Sequence, residues 1–328
     1  MRLSSLRLEF FAELGTFVPR QAALRPPNPP VMKTLLRLAA ALAALALHPC
    51  ASAQEPAAPF ALPEIPAALT APAERADYLT YHYWDRFDFA DPSLFVPEGT
   101  AERAFVDFLS VLPLAPQADR AWARLFGRLR GDAERLLYFA DLGDKYLGEA
   151  ASPLCDEGQQ ILFLEALLAD EGLPEEERIR PRVQLRLARM NRPGTVAADF
   201  EYEGRDGVRH RLSDLRAERI LLFLNDPECA DCRRTKAFLV SSPVVREALR
   251  AGRLALLSVC VEGDTPSWRA ASVPEGWTDG CDALGALTDG EHYYLKTMPA
   301  LLLLDGARRV LLKDASVEDV ERLLTADR

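Results

Sequence analysis

Several chemistries have no foothold in this sequence. It contains no H-E-x-x-H, no G-x-S-x-G, no glycine-rich phosphate loop and no EF-hand loop. Zincin, α/β-hydrolase, phosphate-loop and calcium-loop mechanisms therefore lack their residues. Histidine is scarce, with four in 328 residues, at His48, His82, His210 and His292. No block of Lys/Arg occurs, and 39 basic residues face 49 acidic ones, for a net charge of −10 and a pI of about 5.1. A nucleic-acid backbone would find no basic face to neutralise it. Long apolar runs are missing as well. The ten residues Leu38–Leu47 fall short of the roughly 20 that span a bilayer. No internal repeat is evident. What remains is ordinary globular composition, 49% hydrophobic and 27% charged, over a length that suits about two domains.

The amino-terminal text changes character at Met32. Residues 1–31 fit nothing that follows, whereas "MKTLLRLAAALAALALHPCASAQEP" has the plan of a secretory leader. Lys33 and Arg37 form a basic start, Leu38–Leu47 an apolar centre, and Ala51–Ala53 a small-x-small cleavage site. The pattern predicts initiation at Met32, a signal peptide over 32–53, and export to the periplasm or cell envelope. Lipidation at Cys50 is the minority alternative, because Pro49 precedes it where a small residue is usual. Residues 1–53 hold six Lys/Arg and two Asp/Glu, so the mature chain carries 33 basic and 47 acidic residues, a net charge of −14. The mature chain is expected to have no transmembrane span.

Residues 54–73, rich in Pro and Ala, read as a linker. The stretch 74–192 predicts an all-α domain. Helical spacing of apolar residues recurs in 101–112 (Phe105, Phe108, Leu109, Leu112), 117–130 (Trp122, Leu125, Phe126, Leu129), 132–147, 157–170 and 175–191. "NRPGT" (191–195) punctuates the chain. Over 193–328 strands at 197–203 and 207–212 surround a turn. Apolar runs at 218–226, 253–263 and 300–306 suit strands buried on both faces. A further strand at 308–314 and a helix over 316–327, capped by Ser316 and Asp319, close the chain. Strands alternating with helices predict an α/β sheet covered on both faces.

The chemistry concentrates in "NDPECADCRR" (225–234), where Cys229 and Cys232 lie between a buried strand and a helix. A cysteine at a helix start faces the positive end of the dipole and free backbone N–H groups, which favour its thiolate. Arg233 and Arg234 would add to that, and Glu228 and Asp231 would oppose it. Two plainer readings compete. Half a zinc site would need two more ligands at suitable spacing, which Cys260, Cys281 and the histidines match poorly. A structural disulfide this short would constrain the unfolded chain little. Redox use is the better account of the pair.

The segments "AADFEYEGRDGVRHRLSDL", "ILLFLNDPECADC" and "TMPALLLLDGARRVLLKDA" resemble, in this order, the exported thioredoxin-like proteins of the TlpA/ResA type. The resemblance covers about residues 195–328. It implies a thioredoxin-like carboxyl-terminal domain after an all-α amino-terminal domain. It further implies Cys229 as nucleophile, Cys232 as resolving thiol, and Pro299 as a cis-proline. Met298 and Thr297 would border the substrate with it. No cofactor or metal is implied. The expected partners are a disulfide-bearing protein and a thiol electron donor. The stretches 75–91, 180–200 and 266–282 resemble an uncharacterised domain preceding thioredoxin-like domains in secreted bacterial proteins.

Two departures stand out. Glu228 occupies the place of a common aromatic residue. Phe223 occupies that of a buried acid, whose proton-moving role Glu262 or solvent would have to take. A binding or assembly protein using the fold as a scaffold is accordingly the alternative to an exported thiol-disulfide oxidoreductase.

Other features read more plainly. The aromatics Tyr78, Tyr81, Tyr83, Trp84, Phe87 and Phe89 are expected to be core rather than a ligand patch. Asp85, Asp88 and Asp91 are expected to be caps or a solvated face. The segment 265–285 reads as a loop insertion that borders the active site or packs on the surface. Cys260 reads as a small buried apolar residue, Cys281 as a loop residue, and Cys155 as an odd thiol; a Cys260–Cys281 disulfide is geometrically conceivable but not readable from the sequence.

Overall fold

The computed structural model describes residues 60–288 and 292–326. The expected leader at 32–53, the expected start at Met32 and Cys50 lie outside the described residues. The chain divides into two compact units, one ending at Leu125 and one beginning at Phe126.

The first unit holds α1 (Pro72–His82), α2 (Thr100–Val111) and the start of α3 (Ala118–Leu129), which crosses the division. Its centre is aromatic. Tyr83, Trp84 and Phe87 are buried. Trp84 lies 6.0 Å from the Phe60 ring and 5.6 Å from Phe108, and the Tyr83 hydroxyl donates to the Ala104 carbonyl. The aromatic run is therefore core, with Tyr78, Tyr81 and Phe89 half-buried at its margin. His82 Nδ1 lies 2.8 Å from Asp85, which also takes Arg124. Asp88 accepts from the Ala90 N–H, and Asp91 from the Ser93 N–H. Asp91 caps a short helical turn, as expected, while Asp88 holds a turn and Asp85 is taken up by His82 and Arg124.

The second unit opens with α4 (Ala133–Gly143), α5 (Glu157–Leu168) and α6 (Ile179–Ala188). Asp132 and Asp156 cap the first two by accepting a backbone N–H in the first turn. Helix gives way to strand between Ala188 and Glu201. The strands are β1 (Glu201–Gly204), β2 (Arg209–Arg211), β3 (Arg219–Asn225), β4 (Leu254–Cys260), β5 (Trp277–Cys281), β6 (Ala300–Asp305) and β7 (Val310–Leu312). They form one sheet in the order β2-β1-β5-β4-β3-β6-β7. β3, β4 and β5 run parallel, and the other neighbours pair antiparallel.

The central strand explains its own sequence. Ile220, Leu222 and Leu224 enter one core, and Leu221 and Phe223 the other. All five are fully buried, which accounts for the unbroken apolar run. Each such side chain contributes roughly 1.5–3 kcal/mol. Over the second core lie α7 (Ala230–Ser241), α8 (Pro243–Arg250) and α10 (Val317–Ala326), through Leu239, Val245, Ala248, Val320 and Leu324. Ser316 and Asp319 exchange backbone and side-chain hydrogen bonds at the start of α10, as the capping pattern predicted.

One expectation is corrected. The segment 265–285 is not a simple loop: it forms a short helix, α9 (Pro266–Ala270), and the strand β5. Cys281 thus lies in a strand. Gly280 beside it permits the close approach of Tyr202, whose ring lies 2.4 Å from where a Cβ would stand. At the far edge the nearly buried Lys313 ammonium meets Glu157 at 2.6 Å and the Met190 carbonyl at 2.8 Å.

Candidate active site

The sheet delivers Cys229 to the start of α7, one turn after β3 ends at Asn225. Cys229 is the N-cap of this helix, and its Sγ accepts from the Cys232 N–H at 3.2 Å. This hydrogen-bonded contact with Cys232 holds the Cys229 thiol below its ordinary range, with help from the Asp231 amide and against the Asp231 charge. The arginines play a smaller part than the sequence implied. Arg234 pairs with Asp231, and Arg233 donates to the Pro227 and Glu228 carbonyls. The Cys232 side chain carries most of the stabilisation, and the Cys232 and Asp231 amides add to it.

Cys232 is the opposite case. It is 1% exposed, against a half-buried Cys229. Burial pushes its thiol up to about 12, and the neighbouring Cys229 and Asp226 charges add to that. One sulfur is therefore accessible and readily ionised, and the other is enclosed and protonated. Met298 and Pro299 complete the site. Their peptide bond is cis, and the Cys229 thiol lies 3.8 Å from the Met298 carbonyl. Met298 and Pro299 are half-buried, and Thr297 beside them is exposed. The structure thus brings Cys229, Cys232, Met298 and Pro299 together, with Thr297 adjoining in the chain.

A cavity of about 390 Å³ opens beside Cys232. Its floor comes from one face of the sheet, where Ser258 and Asp279 lie in register on β4 and β5. Asn225 donates to Ser258 Oγ at 3.1 Å. Asp279 accepts from Arg205 at 2.8 Å and from the Trp268 indole at 2.9 Å. Lys236 and Asp226 line the same space. So 265–285 both packs, through a buried Trp268, and walls the cavity.

Asp226 is the functional candidate that the sequence reading missed. Phe223, where an acid was sought, is fully buried. Glu262, the suggested substitute, is exposed, and its charge acts on Cys260. The carboxylate whose charge reaches Cys232 is Asp226. Its signal was its place immediately after β3, three residues before Cys229. Cys155 is half-buried, with Lys296 Nζ 3.3 Å from its sulfur. Among the described residues no cluster of His, Cys, Asp and Glu could hold a metal ion.

A crystal structure of a thioredoxin-like protein from Bacteroides caccae matches with a TM-score of 0.77 and 34% identity, over 82% of this chain and 99% of that one. The chain belongs to the thioredoxin-like family. Residues 42–191 of this thioredoxin-like protein match a domain of unknown function, DUF5106. The carboxyl-terminal domain of an uncharacterized protein from Bacteroides fragilis is 35% identical over 41% of this chain and 98% of its own, with a TM-score of 0.39. A thiol-disulfide oxidoreductase from the same species is 21% identical over 41% of this chain and all of its own, with a TM-score of 0.36. Among curated proteins nothing matches the chain.

Proposed function

We propose that this protein is an exported thiol-disulfide oxidoreductase that reduces protein disulfides through Cys229 and Cys232. The observation that carries the reading is the asymmetry of the pair: an N-cap thiol held low beside a buried thiol pushed up to about 12. The leader-like text at 32–53 supports the periplasm or cell envelope as its place.

The Cys229 thiolate attacks one sulfur of the substrate disulfide. That S–S bond breaks, a substrate thiolate leaves, and a mixed disulfide joins Cys229 to the substrate. Cys232 then gives up its proton, with Asp226, which lines the same cavity, as acceptor, and attacks Cys229 Sγ. The second substrate thiolate departs, and the Cys229–Cys232 disulfide remains. Two electrons have passed to the substrate, and a thiol donor must return them. Met298 and Pro299 border the exposed sulfur, where a substrate strand would lie.

The test is direct. Cys232→Ala should accumulate a mixed disulfide at Cys229 that dithiothreitol releases, and adding Cys229→Ser should abolish it. A couple near −270 mV fits a reductase, and one near −120 mV an oxidant. A pair that never cycles in a glutathione titration sinks the enzyme reading in favour of a binding scaffold.

A further inference from the structure

The same end of the sheet holds a second cysteine pair that this chemistry leaves unused. β4 and β5 run parallel, with Cys260 opposite Cys281 in register. Neighbouring strands lie about 4.8 Å apart, inside the roughly 4.4–6.8 Å of Cα separation that a disulfide spans. Residues in register on a parallel ladder point to the same face, and both cysteines pack against one ring, that of Trp268. Cys260 is 1% exposed and Cys281 fully buried. In this structure both are thiols.

We propose that Cys260 and Cys281 close a disulfide that staples β5 to β4 in the exported protein. The two thiols give up two protons and two electrons as their S–S bond forms. Glutathione disulfide, or a protein disulfide of the same class, accepts them as its own S–S bond breaks to two thiols. Trp268 covers both sulfurs, so the exchange precedes the docking of segment 264–272 during folding. Once that segment is seated, an external thiolate has no path to the bond. The staple bears on the site already described. Asp279, two residues before Cys281 on the same face, anchors Arg205 and the Trp268 indole, and Trp268 lines the cavity beside Cys232. The proposal does not depend on turnover at Cys229 and Cys232.

The mature chain is reduced, unfolded and refolded with glutathione disulfide. It is then denatured in N-ethylmaleimide and cut with trypsin without reductant. Cleavage after Arg269 separates the two cysteines. Peptides 254–269 and 270–296 should be recovered joined. They should remain joined when the native protein first meets enough dithiothreitol to open Cys229–Cys232. Recovery of both peptides carrying maleimide overturns the proposal. A variant with Cys229→Ser and Cys232→Ser is run in parallel, so that failure of the redox reading leaves this result untouched, and absence of the bond there overturns the proposal too. In that background the oxidised chain should melt roughly 5–10 °C above the reduced one, and equal melting temperatures would remove the stapling role.

Discussion

Two cysteine pairs occupy one end of one sheet, and their surroundings give them opposite characters. Cys229 stands at a helix start, half-buried, with a backbone N–H at 3.2 Å. Cys260 and Cys281 stand side by side on strands under Trp268, with burial raising both thiols. The first arrangement favours a thiolate. The second hides two sulfurs from any reagent. A helix end and a path to solvent decide what a thiol does, and residue type alone does not.

The comparison breaks most visibly in activity. Cys229→Ser should lower turnover of an insulin-type disulfide substrate about 1,000-fold or more. Replacing both Cys260 and Cys281 with Ala should leave the initial rate within about threefold. A comparable loss in both variants would erase the distinction drawn here.

Alkylation sharpens it. In protein refolded under reductant, with all these cysteines as thiols, iodoacetamide should reach Cys229 about 100-fold faster than Cys260 or Cys281. Cys229 is held below its ordinary range, so its thiolate persists to lower pH than that of a free thiol, and its rate should fall as pH drops through that lowered value. Cys232, pushed up to about 12, stays protonated across the same range and adds nothing to the rate. Mass spectrometry of timed quenches reads each site separately.

Asp226 separates the two thiols of the first pair. Asp226→Asn should slow release of the mixed disulfide about tenfold below pH 7 and leave the first attack within about twofold, with Asp226→Glu restoring release. Equal slowing of both steps in stopped-flow traces would remove the proton-accepting role. The smallest effect concerns the seat of the second pair. Gly280→Ala sets a methyl group against Tyr202 and should cost about 1–3 kcal/mol in a urea melt, with thiol reactivity at Cys229 unchanged.

Legibility in the sequence followed the range of the interactions. β3, β4 and β6 announced themselves because burial on both faces leaves an apolar run. The cap at Ser316 was legible because its partner is three residues away. β5 was not, because "WTDGC" has little intrinsic strand character and owes its conformation to pairing with Leu256–Cys260. Asp226 escaped notice for a similar reason: its bearing on Cys232 arises where a strand end meets a helix start. The arginines misled in the other direction, since their charge was visible and their local partners were not.

Lys313 carries a lesson about dissection. Its ammonium lies almost out of solvent between Glu157 on α5 and the carbonyl of Met190. A polypeptide beginning at residue 193 would keep every strand together with Cys229 and Cys232, yet strip that cation of both neighbours. The helices before the sheet are thus part of the insulation of its edge. Cutting the chain where helix gives way to strand therefore changes the surroundings of Lys313 at the sheet's far edge.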